Sequence, residues 1–343
     1  MMKLELNGKS QSTSRTETDP GAEGVDVVYT WVDGRDASFQ AALRRHASTE
    51  LGEADLASAS LNRYRDHGEL RFSLRSLLSF APWVRRIHIL TNGQVPSWLN
   101  SLHPRIHLVT HEQVFPESEA LPTFNSNAIE MCLHRIPCLS RRFIYFNDDV
   151  FLGRPVRESD FFLPGGGQIV FLEDTPLAWE CSQGSARGRA CAYTEATLTR
   201  LWGQPRAPRL LPAHTPQPYD RDLLARLETL LVDEFRRTAM HRFRAGDDLV
   251  LNALYSYTLL EAPEERGWHE ARVLPKFSPQ YYMLELENKP LWMMRSYADI
   301  LRKRPTFFCL NDILGDVPAH HPQLLGLRAF LYLYFSKNVP VAQ

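Results

Sequence analysis

Hydrophobic and polar positions follow two different periods along the first half of the chain. Short apolar runs bounded by polar residues predict strands, and apolar residues at i, i+4, i+7 and i+8 predict amphipathic helices. The predicted strands are 25–32, 86–91, 105–110, 143–147 and 168–172, and the predicted helices between them centre on 70–78 and 128–136. Because strands and helices alternate, we expect an α/β fold with a mostly parallel sheet and flanking helices.

The second half of the chain is richer in helical patterns. Leucine and phenylalanine at helical spacing predict a helix over 223–235, for which Asp220 is a suitable N-cap. Further helices are predicted at 247–260, 293–303 and 322–335, and two further strands at 279–286 and 306–310. We therefore expect helical additions to the sheet in the C-terminal half.

Residues 174–218 interrupt these patterns with many Gly, Pro, Ser and Arg residues. This stretch is predicted to be a long connection with one short helix near 194–202, and loops of such length are usually functional or disordered. The polar residues 1–24 are predicted to be a disordered leader. The rest then forms a single domain, 25–337, divided into an α/β half at 25–173, the connection at 174–218 and a second half at 219–337.

The composition narrows the class of protein and its partners. The chain has 343 residues, of which 44% are hydrophobic and 23% charged, and its net charge is −1. Such a chain has no general basic field for binding nucleic acid, so nucleic acid is not a predicted partner. No apolar run reaches the roughly 20 residues of a membrane helix, and the first residues lack the apolar core of a signal peptide. We therefore expect a cytoplasmic protein without a transmembrane segment, and leave peripheral membrane association open.

The five cysteines, Cys132, Cys138, Cys181, Cys191 and Cys309, include no CxxC pair. A zinc ribbon is therefore not predicted. Cys181 and Cys191 flank a Gly/Ser/Arg-rich segment and would be able to form a disulfide in an oxidising compartment. Free thiols are the favoured prediction, because a reducing cytosol keeps cysteines reduced.

Acidic residues follow several predicted strands. They are Asp33 and Asp36 after the first strand, Asp148 and Asp149 after 143–147, and Asp312 after 306–310, and the turn at Asn92 ends a further strand. The carboxyl ends of parallel strands meet at one edge of a sheet, where α/β proteins bind ligands. Carboxylates at close range repel one another unless they are protonated or bridged by a cation, and Mg²⁺ commonly joins them to phosphate. The alternative is that each Asp only begins a turn.

Three further residues have both a functional and a structural interpretation. His214 lies between prolines and is either an active-site residue or an exposed loop histidine. Arg244, together with Arg242, precedes a predicted helix start, where arginine suits phosphate binding, or it is a solvated charge. Trp31 either stacks on a base or fills the core. GxGxxG, Walker A and GxSxG motifs are absent, which disfavours dinucleotide oxidoreductases, P-loop NTPases and serine hydrolases. The acidic strand ends favour a divalent-metal enzyme that acts on a phosphorylated substrate, such as a nucleotide-sugar transferase.

Four segments resemble the characteristic regions of the Stealth family. They read DVVYTWVDG, ELRFSLRSLLSFAPWVRRIHILTNGQVPSWLN, LPTFNSNAIEMCLHRIPCLSRRFIYFNDDVFLG and PAHTPQPYDRDLLARLETLLVDEFRRTAMHRFRAGDDLVLNALYSY. The resemblance implies a GT-A-like, nucleotide-sugar-binding α/β fold. It also implies transfer of a sugar 1-phosphate, with N-acetylglucosamine (GlcNAc) 1-phosphate expected, from a UDP-sugar to a hydroxyl with release of UMP. A capsular or exopolysaccharide hexose-1-phosphate polymerase is the alternative within the family, and a metal-dependent glycosyltransferase that releases UDP is the alternative outside it.

The same resemblance assigns roles to residues of this chain. It implies functional roles for Asp149, His214, Arg244 and Asp312, and nucleotide binding near Asp26, Trp31 and Asp33. To these we add Asp148 as a catalytic residue, Asn92 at the nucleotide site, and Asp149 with Asp312 as the ligands of Mg²⁺ or Mn²⁺. His214 is expected either to act as the base or to contact phosphate. The implied partners are a UDP-sugar donor and a glycan or monosaccharide acceptor, and a homodimer is an option. If the chain is a fragment of a eukaryotic protein, the expected location is the Golgi lumen instead of the cytoplasm.

Overall fold

The structure is a computed structural model. It describes residues 24–99, 103–163, 167–263, 271–275 and 280–336, so the predicted leader apart from Gly24, and residue 337, lie outside the described residues. The strands are β1 (Val25–Thr30), β2 (Ile87–Thr91), β3 (Ile106–Thr110), β4 (Arg142–Phe146), β5 (Val150–Leu152), β6 (Gln168–Pro176), β7 (Leu210–Pro212), β8 (Gln217–Asp220), β9 (Ala271–Pro275), β10 (Tyr281–Leu286) and β11 (Phe307–Asp312).

The helices confirm most of the predicted helical segments. They are α1 (Ala37–Glu50), α2 (Glu69–Phe80), α3 (Ser126–Met131), α4 (Leu177–Cys181), α5 (Ala186–Trp202), α6 (Arg221–Leu230), α7 (Val232–Met240), α8 (Leu251–Glu261), α9 (Pro290–Lys303) and α10 (Pro322–Phe335). Helix α1 is an addition to the prediction, and its N-cap is Asp36, whose carboxylate accepts a 2.7 Å hydrogen bond from the backbone N–H of Phe39.

The central sheet has the order β3-β2-β1-β4-β8, and its first four strands are parallel. Strand β8 is antiparallel to β4. The chain winds outward from β1 to β3 and then returns to the other side of β1 to form β4. The strand order therefore reverses between β1 and β4, which is the point where open α/β sheets bind ligands at their carboxyl ends. The predicted α/β fold with a mostly parallel sheet is confirmed.

Two smaller sheets extend this core. Strand β11 pairs in parallel with β10 and antiparallel with β5, and Cys309 lies opposite Val150. The third sheet has the order β7-β6-β9. Alternate residues of β11 enter different cores: Phe307 and Cys309 pack around β4 and β5, whereas Phe308 and Leu310 pack against α9 and α10. This alternation is the two-residue period of a strand.

The predicted connection is wrong in its central part, because α5 is a 17-residue helix rather than a short one near 194–202. Its N-cap is Ser185, whose hydroxyl accepts a 3.0 Å hydrogen bond from the N–H of Gly188. The glycine is required by packing, since a Cβ there would lie 2.5 Å from the carbonyl oxygen of Glu180. Gly188 has a low helix propensity, but its lack of a side chain lets the backbone of α5 lie close to Glu180.

The predicted helix at 223–235 is divided. Asp220 caps α6 as expected, but Leu231 adopts φ −130° and ψ 42° and separates α6 from α7. The sequence gives no signal for this break, because the hydrophobic period continues through it and neither proline nor glycine occurs there. Within the described residues, none of the helices combines the length and the apolar character that crossing a membrane requires.

Candidate active site

The turn after β4 carries the two adjacent aspartates. The backbone N–H of Val150 donates a 3.2 Å hydrogen bond to the carbonyl of Asn147, so Asp148 and Asp149 occupy the two central positions of a β-turn. Asn and Asp favour such turns, so their turn-forming role is real. The turn also lies at the carboxyl end of β4, beside the point where the strand order reverses.

His214 reaches this turn from the segment between β7 and β8. Tyr145 of β4 pairs with Gln217 of β8, so residues just before Gln217 extend past the end of β4. The side-chain amide of Gln217 donates to the carbonyl oxygens of Ala213 and Thr215 at 2.7 and 3.2 Å, and this holds the backbone on both sides of His214. The proline-flanked histidine is therefore positioned by the sheet.

Asp149, His214 and Cys309 form a compact cluster. His214 Nε2 lies 3.3 Å from Asp149 Oδ1, and the Cys309 thiol donates to Asp149 Oδ2 at 3.4 Å. One donor atom from each residue lies within 4.8 Å of the other two. The side chains of Asp149 and His214 are 21% and 38% exposed, and Cys309 is buried. Solvent thus reaches the cluster from the side of the carboxylate and the imidazole.

The surroundings shift the proton affinities of these groups. Burial lowers the pKa of His214, but the adjacent Asp149 carboxylate outweighs this, so the pKa is raised overall. Burial raises the pKa of Asp148 well above its usual range, and the charges of Asp149 and Asp66 raise it further. Buried Glu69 has a raised pKa mainly because of its burial, and also because of Asp148 and Asp66. Carboxyl groups with raised pKa values are typical of active sites.

Arg244 lies in a second group of charges. Its Nη2 donates a 2.8 Å hydrogen bond to the hydroxyl of Ser126 in the first turn of α3. Burial lowers its pKa to about 10, as do the positive charges of Arg63 and Arg187. Glu130 lies four residues after Ser126, and therefore on the same face of α3.

The Glu130 carboxyl links this group to His214. Burial raises its pKa to about 7, although the nearby charges of Arg244, His214 and Arg187 act in the opposite direction. Arg187 also forms a 3.0 Å ion pair with Glu180. The positive charges of Arg63 and Arg187 beside Arg244 favour the binding of an anion such as phosphate.

Comparison with protein families identifies three regions of this chain. Stealth protein conserved region 1 matches residues 23–45, conserved region 2 matches 63–170 and conserved region 3 matches 213–259. The chain belongs to the Stealth family. Region 2 contains the turn with Asp149, and region 3 contains His214 and Arg244.

Curated relatives of this Stealth chain carry the name exopolysaccharide phosphotransferase. One relative from Streptomyces coelicolor is 38% identical over 331 residues, which cover 92% of this chain and 51% of that protein. The CpsY protein of Mycobacterium leprae is 39% identical over 325 residues, which cover 92% and 56%. The Nocardia farcinica relative is 35% identical over 332 residues, which cover 94% and 62%. The chain thus spans 51–62% of the length of these three relatives.

Two solved glycosyltransferase structures align with it more weakly. Galactosyltransferase LgtC, in complex with donor and acceptor sugar analogues, is 14% identical with a TM-score of 0.42 and covers 92% of this chain and 98% of its own. Mouse xyloside xylosyltransferase 1 is 15% identical with a TM-score of 0.40 and covers 86% and 100%. Both TM-scores are below 0.5, so neither structure supports an inference about this Stealth chain.

Asp312 is not brought together with Asp149. It lies three residues after Cys309 on β11, and residues at odd spacing point to opposite faces of a strand. Its carboxylate accepts a 2.9 Å hydrogen bond from Arg65 Nε and lies 3.3 Å from His67 Nε2. Among the described residues, the possible metal ligands near Asp149 are therefore His214 and Cys309, and the predicted second ligand Asp312 is not one of them.

The predicted Mg²⁺ fits this cluster poorly. Asp149 supplies the hard oxygen that Mg²⁺ prefers, but the neighbouring donors are an imidazole nitrogen and a thiol. Close by, the hydroxyl of Tyr281 is buried and lies against the backbone of His214. Binding of Mg²⁺ or Mn²⁺ to this Stealth chain stays a prediction.

The residues predicted at the nucleotide site fall into two places. Trp31, Asp33 and Asn92 lie at the carboxyl edge of the sheet. Trp31 is buried and donates a 3.1 Å hydrogen bond to Asp66, and the Asp33 N–H donates to the Gln94 side chain at 2.7 Å. A cavity of about 370 Å³ opens beside them, lined by Ser38, Phe39, Ala42, Asn92, Gly93, Gln94, Pro122, Thr123 and Phe124.

Asp26 lies at the other end of β1, away from this edge. It is fully buried, and its carboxylate accepts hydrogen bonds from Arg85 Nη2 at 2.7 Å and from the backbone N–H of Ser140 at 2.8 Å. His88 Nε2 lies 3.2 Å away. Burial alone would raise the pKa of Asp26, but these partners hold it well below its usual range. The contacts indicate a structural role rather than nucleotide binding.

Asp26→Asn is expected to lower the free energy of unfolding by about 3–5 kcal/mol at neutral pH, because it removes the fully buried carboxylate that pairs with Arg85 and accepts from the backbone N–H of Ser140. A depressed folded-state pKa stabilises the protein above the unfolded pKa of 3.8, and this contribution disappears as the pH falls through the folded-state pKa. The difference between the variant and the unmodified chain should therefore shrink below about pH 4. Urea unfolding across this pH range measures it, and an equal difference at every pH would contradict the ion-pair explanation.

Several site residues escaped the sequence prediction. Cys309 was considered only as a thiol, although the period of β11 turns it, and not Asp312, toward Asp149. Asp66 and Glu69 lie in RDHGELRFSLRS, where the hydrophobic pattern predicted a helix but did not indicate that these two acidic residues are buried. Glu130 lies within NAIEMCLHRI, and its four-residue spacing from Ser126 was the available signal.

Proposed function

We propose that this chain transfers a sugar 1-phosphate, with GlcNAc 1-phosphate as the first candidate, from a UDP-sugar to a hydroxyl of a sugar or glycan acceptor and releases UMP. The observation that carries this proposal is the Asp149–His214 pair at the carboxyl end of β4, with the arginines around Arg244 nearby. The curated relatives named exopolysaccharide phosphotransferases support the reaction class and favour a growing exopolysaccharide as the acceptor.

In this proposal, the acceptor hydroxyl attacks the phosphorus that bears the sugar. A new bond forms from the acceptor oxygen to that phosphorus, and the bond to the bridging oxygen of UMP breaks. The C1–O bond of the sugar stays intact, so its anomeric configuration is preserved. Because Asp149 Oδ1 lies 3.3 Å from His214 Nε2, that nitrogen carries the proton of the neutral ring and the hydroxyl proton passes to Nδ1. Asp149 orients the imidazole and stabilises its charged form. Arg244 neutralises charge on the transferred group.

The same proposal assigns a binding place to the UDP-sugar donor. The uridine diphosphate lies at the carboxyl edge of the sheet near Trp31, Asp33 and Asn92. A divalent ion, Mg²⁺ or Mn²⁺, is expected to accompany the diphosphate and to compensate its charge. The raised pKa makes Asp148 the second candidate for the base. Cytoplasmic location, a homodimer and peripheral membrane contact stay predictions.

Identification of the released nucleotide tests the proposal. The purified chain is incubated with UDP-GlcNAc, other UDP-sugars, Mg²⁺ or Mn²⁺ and candidate acceptor sugars, and the products are separated by chromatography. UMP together with a phosphodiester-linked sugar is the expected result. Release of UDP would instead indicate a glycosyltransferase that cuts the C1–O bond. Binding of the donor without any product across the panel would leave only a nucleotide-sugar-binding protein.

Arg244→Ala is expected to lower the rate of UMP release by about 10²–10³-fold, in the range seen for loss of one group that stabilises transition-state charge. The loss should appear in kcat more than in KM for the donor if Arg244 contacts the transferring phosphoryl group. Arg302→Ala is the matched control, because Arg302 is exposed and pairs with Asp299 at the surface of α9. A variant with an unchanged kcat would remove Arg244 from the mechanism.

A further inference from the structure

We propose that Asp149, His214 and Cys309 form a three-ligand site for a transition-metal ion of the Zn²⁺ class. Such an ion would also block the proposed transfer, a consequence that rests on the proposed function. The site shares only Asp149 with the predicted Mg²⁺ site, because His214 and the Cys309 thiol take the place of the Asp312 carboxylate.

The donor types favour this class of ion. Carboxylate oxygen, imidazole nitrogen and thiolate sulfur are together the ligands of zinc sites, whereas Mg²⁺ takes oxygen ligands almost exclusively. The oxygens of Asp149 lie 3.3 Å from His214 Nε2 and 3.4 Å from Cys309 Sγ. Neighbouring ligands of a tetrahedral zinc ion are roughly 3.3–3.8 Å apart, given metal–ligand bonds of about 2.0–2.3 Å. Small side-chain movements would therefore suffice to enclose the ion.

The burial of the three residues suits an open, three-ligand site. Cys309 approaches from the core, while Asp149 and His214 keep exposed surface through which an ion enters. Zinc sites with three protein ligands leave a fourth position for water or another ligand. The buried Tyr281 hydroxyl lies near Cys309 and Asp149, so it borders the space in which the ion would sit.

Formation of the site requires a proton to leave. The Cys309 thiol donates its S–H to Asp149 in the metal-free protein. When the ion binds, the sulfur–metal bond replaces the S–H bond and the proton passes to solvent. When the ion is bound to His214 Nε2, the neutral ring carries its proton on Nδ1, so Nδ1 cannot accept a proton from an acceptor hydroxyl. Zinc is therefore expected to inhibit UMP release.

Cobalt spectroscopy tests the ligand set without any need for activity. Co²⁺ is titrated into the full chain, and thiolate ligation is expected to produce a near-ultraviolet sulfur-to-cobalt charge-transfer band at one ion per chain. Cys309→Ser should abolish this band, whereas Cys132→Ser should retain it, because Cys132 is a buried cysteine that packs in the other core beside the sheet. Absence of the band in the unmodified chain, or its persistence in Cys309→Ser, would overturn the proposal.

A measurement on the unmodified protein guards against misfolding of the variant. X-ray absorption of the zinc-loaded chain is expected to show one sulfur ligand, and a shell of only oxygen and nitrogen would overturn the site. The zinc concentration that halves UMP release, relative to the zinc-free rate of each protein, should rise by about tenfold or more in Cys309→Ser. UMP release without a cobalt–sulfur band would refute the site alone, whereas the band without UMP release would refute the proposed function alone.

Discussion

Asp149→Asn is expected to lower the rate of UMP release by about 10³–10⁴-fold, the loss seen when an aspartate that orients a catalytic histidine becomes an amide. The carboxylate lies 3.3 Å from His214 Nε2 and contributes to the raised pKa of that imidazole. An asparagine of the same size keeps the turn but removes the charge. The imidazolium formed during proton transfer then loses its counter-charge. Initial rates of UMP formation at saturating donor measure the effect.

Two controls separate this loss from general damage. Asp299→Asn removes a carboxylate on α9 that pairs with Arg302 and Lys303 at the surface, and its activity should be unchanged. The thermal unfolding temperature of Asp149→Asn should be close to that of the unmodified chain, because Asp149 forms no ion pair with a permanently charged partner among the described residues. An Asp149→Asn enzyme that retains most of its rate would exclude the Asp149–His214 pair from the reaction.

His214→Ala is expected to lower the same rate by about 10²–10⁴-fold, the usual contribution of a positioned general base. The truncation opens a space at a partly exposed position, since the His214 side chain is 38% exposed. Added imidazole should therefore restore part of the activity when His214 is the base. The measurement is the rate of UMP release as a function of imidazole concentration and pH.

The rescue experiment also distinguishes the two roles considered for His214. A base is replaced by neutral imidazole, so rescue should increase with pH across the imidazole titration. A cationic phosphate contact would be replaced by imidazolium, and rescue would then decrease over the same range. His320→Ala is the control, because His320 is an exposed histidine outside the site. A His214→Ala enzyme with full activity would exclude both roles.

Local patterns were sufficient for most of the fold, because strand and helix periods are properties of short segments. The predicted strands at 86–91, 105–110 and 143–147 appear within one residue as β2, β3 and β4. Failures occurred where a distant contact overrode propensity. Gly188 permits α5 because its backbone approaches Glu180, and α6 ends at Leu231 although the hydrophobic period continues.

For the candidate site, the sequence by itself determined the acidic turn after β4, the proline-flanked histidine and the regions that resemble the Stealth family. Only the tertiary structure decided which side chains meet. Asp149 contacts His214 across 65 residues and Cys309 across 160 residues of sequence. Such contacts depend on strand register, and a shift of one residue turns a side chain to the other face of the sheet. For this reason β11 presents Cys309 to Asp149, while Asp312 faces Arg65 on the opposite side.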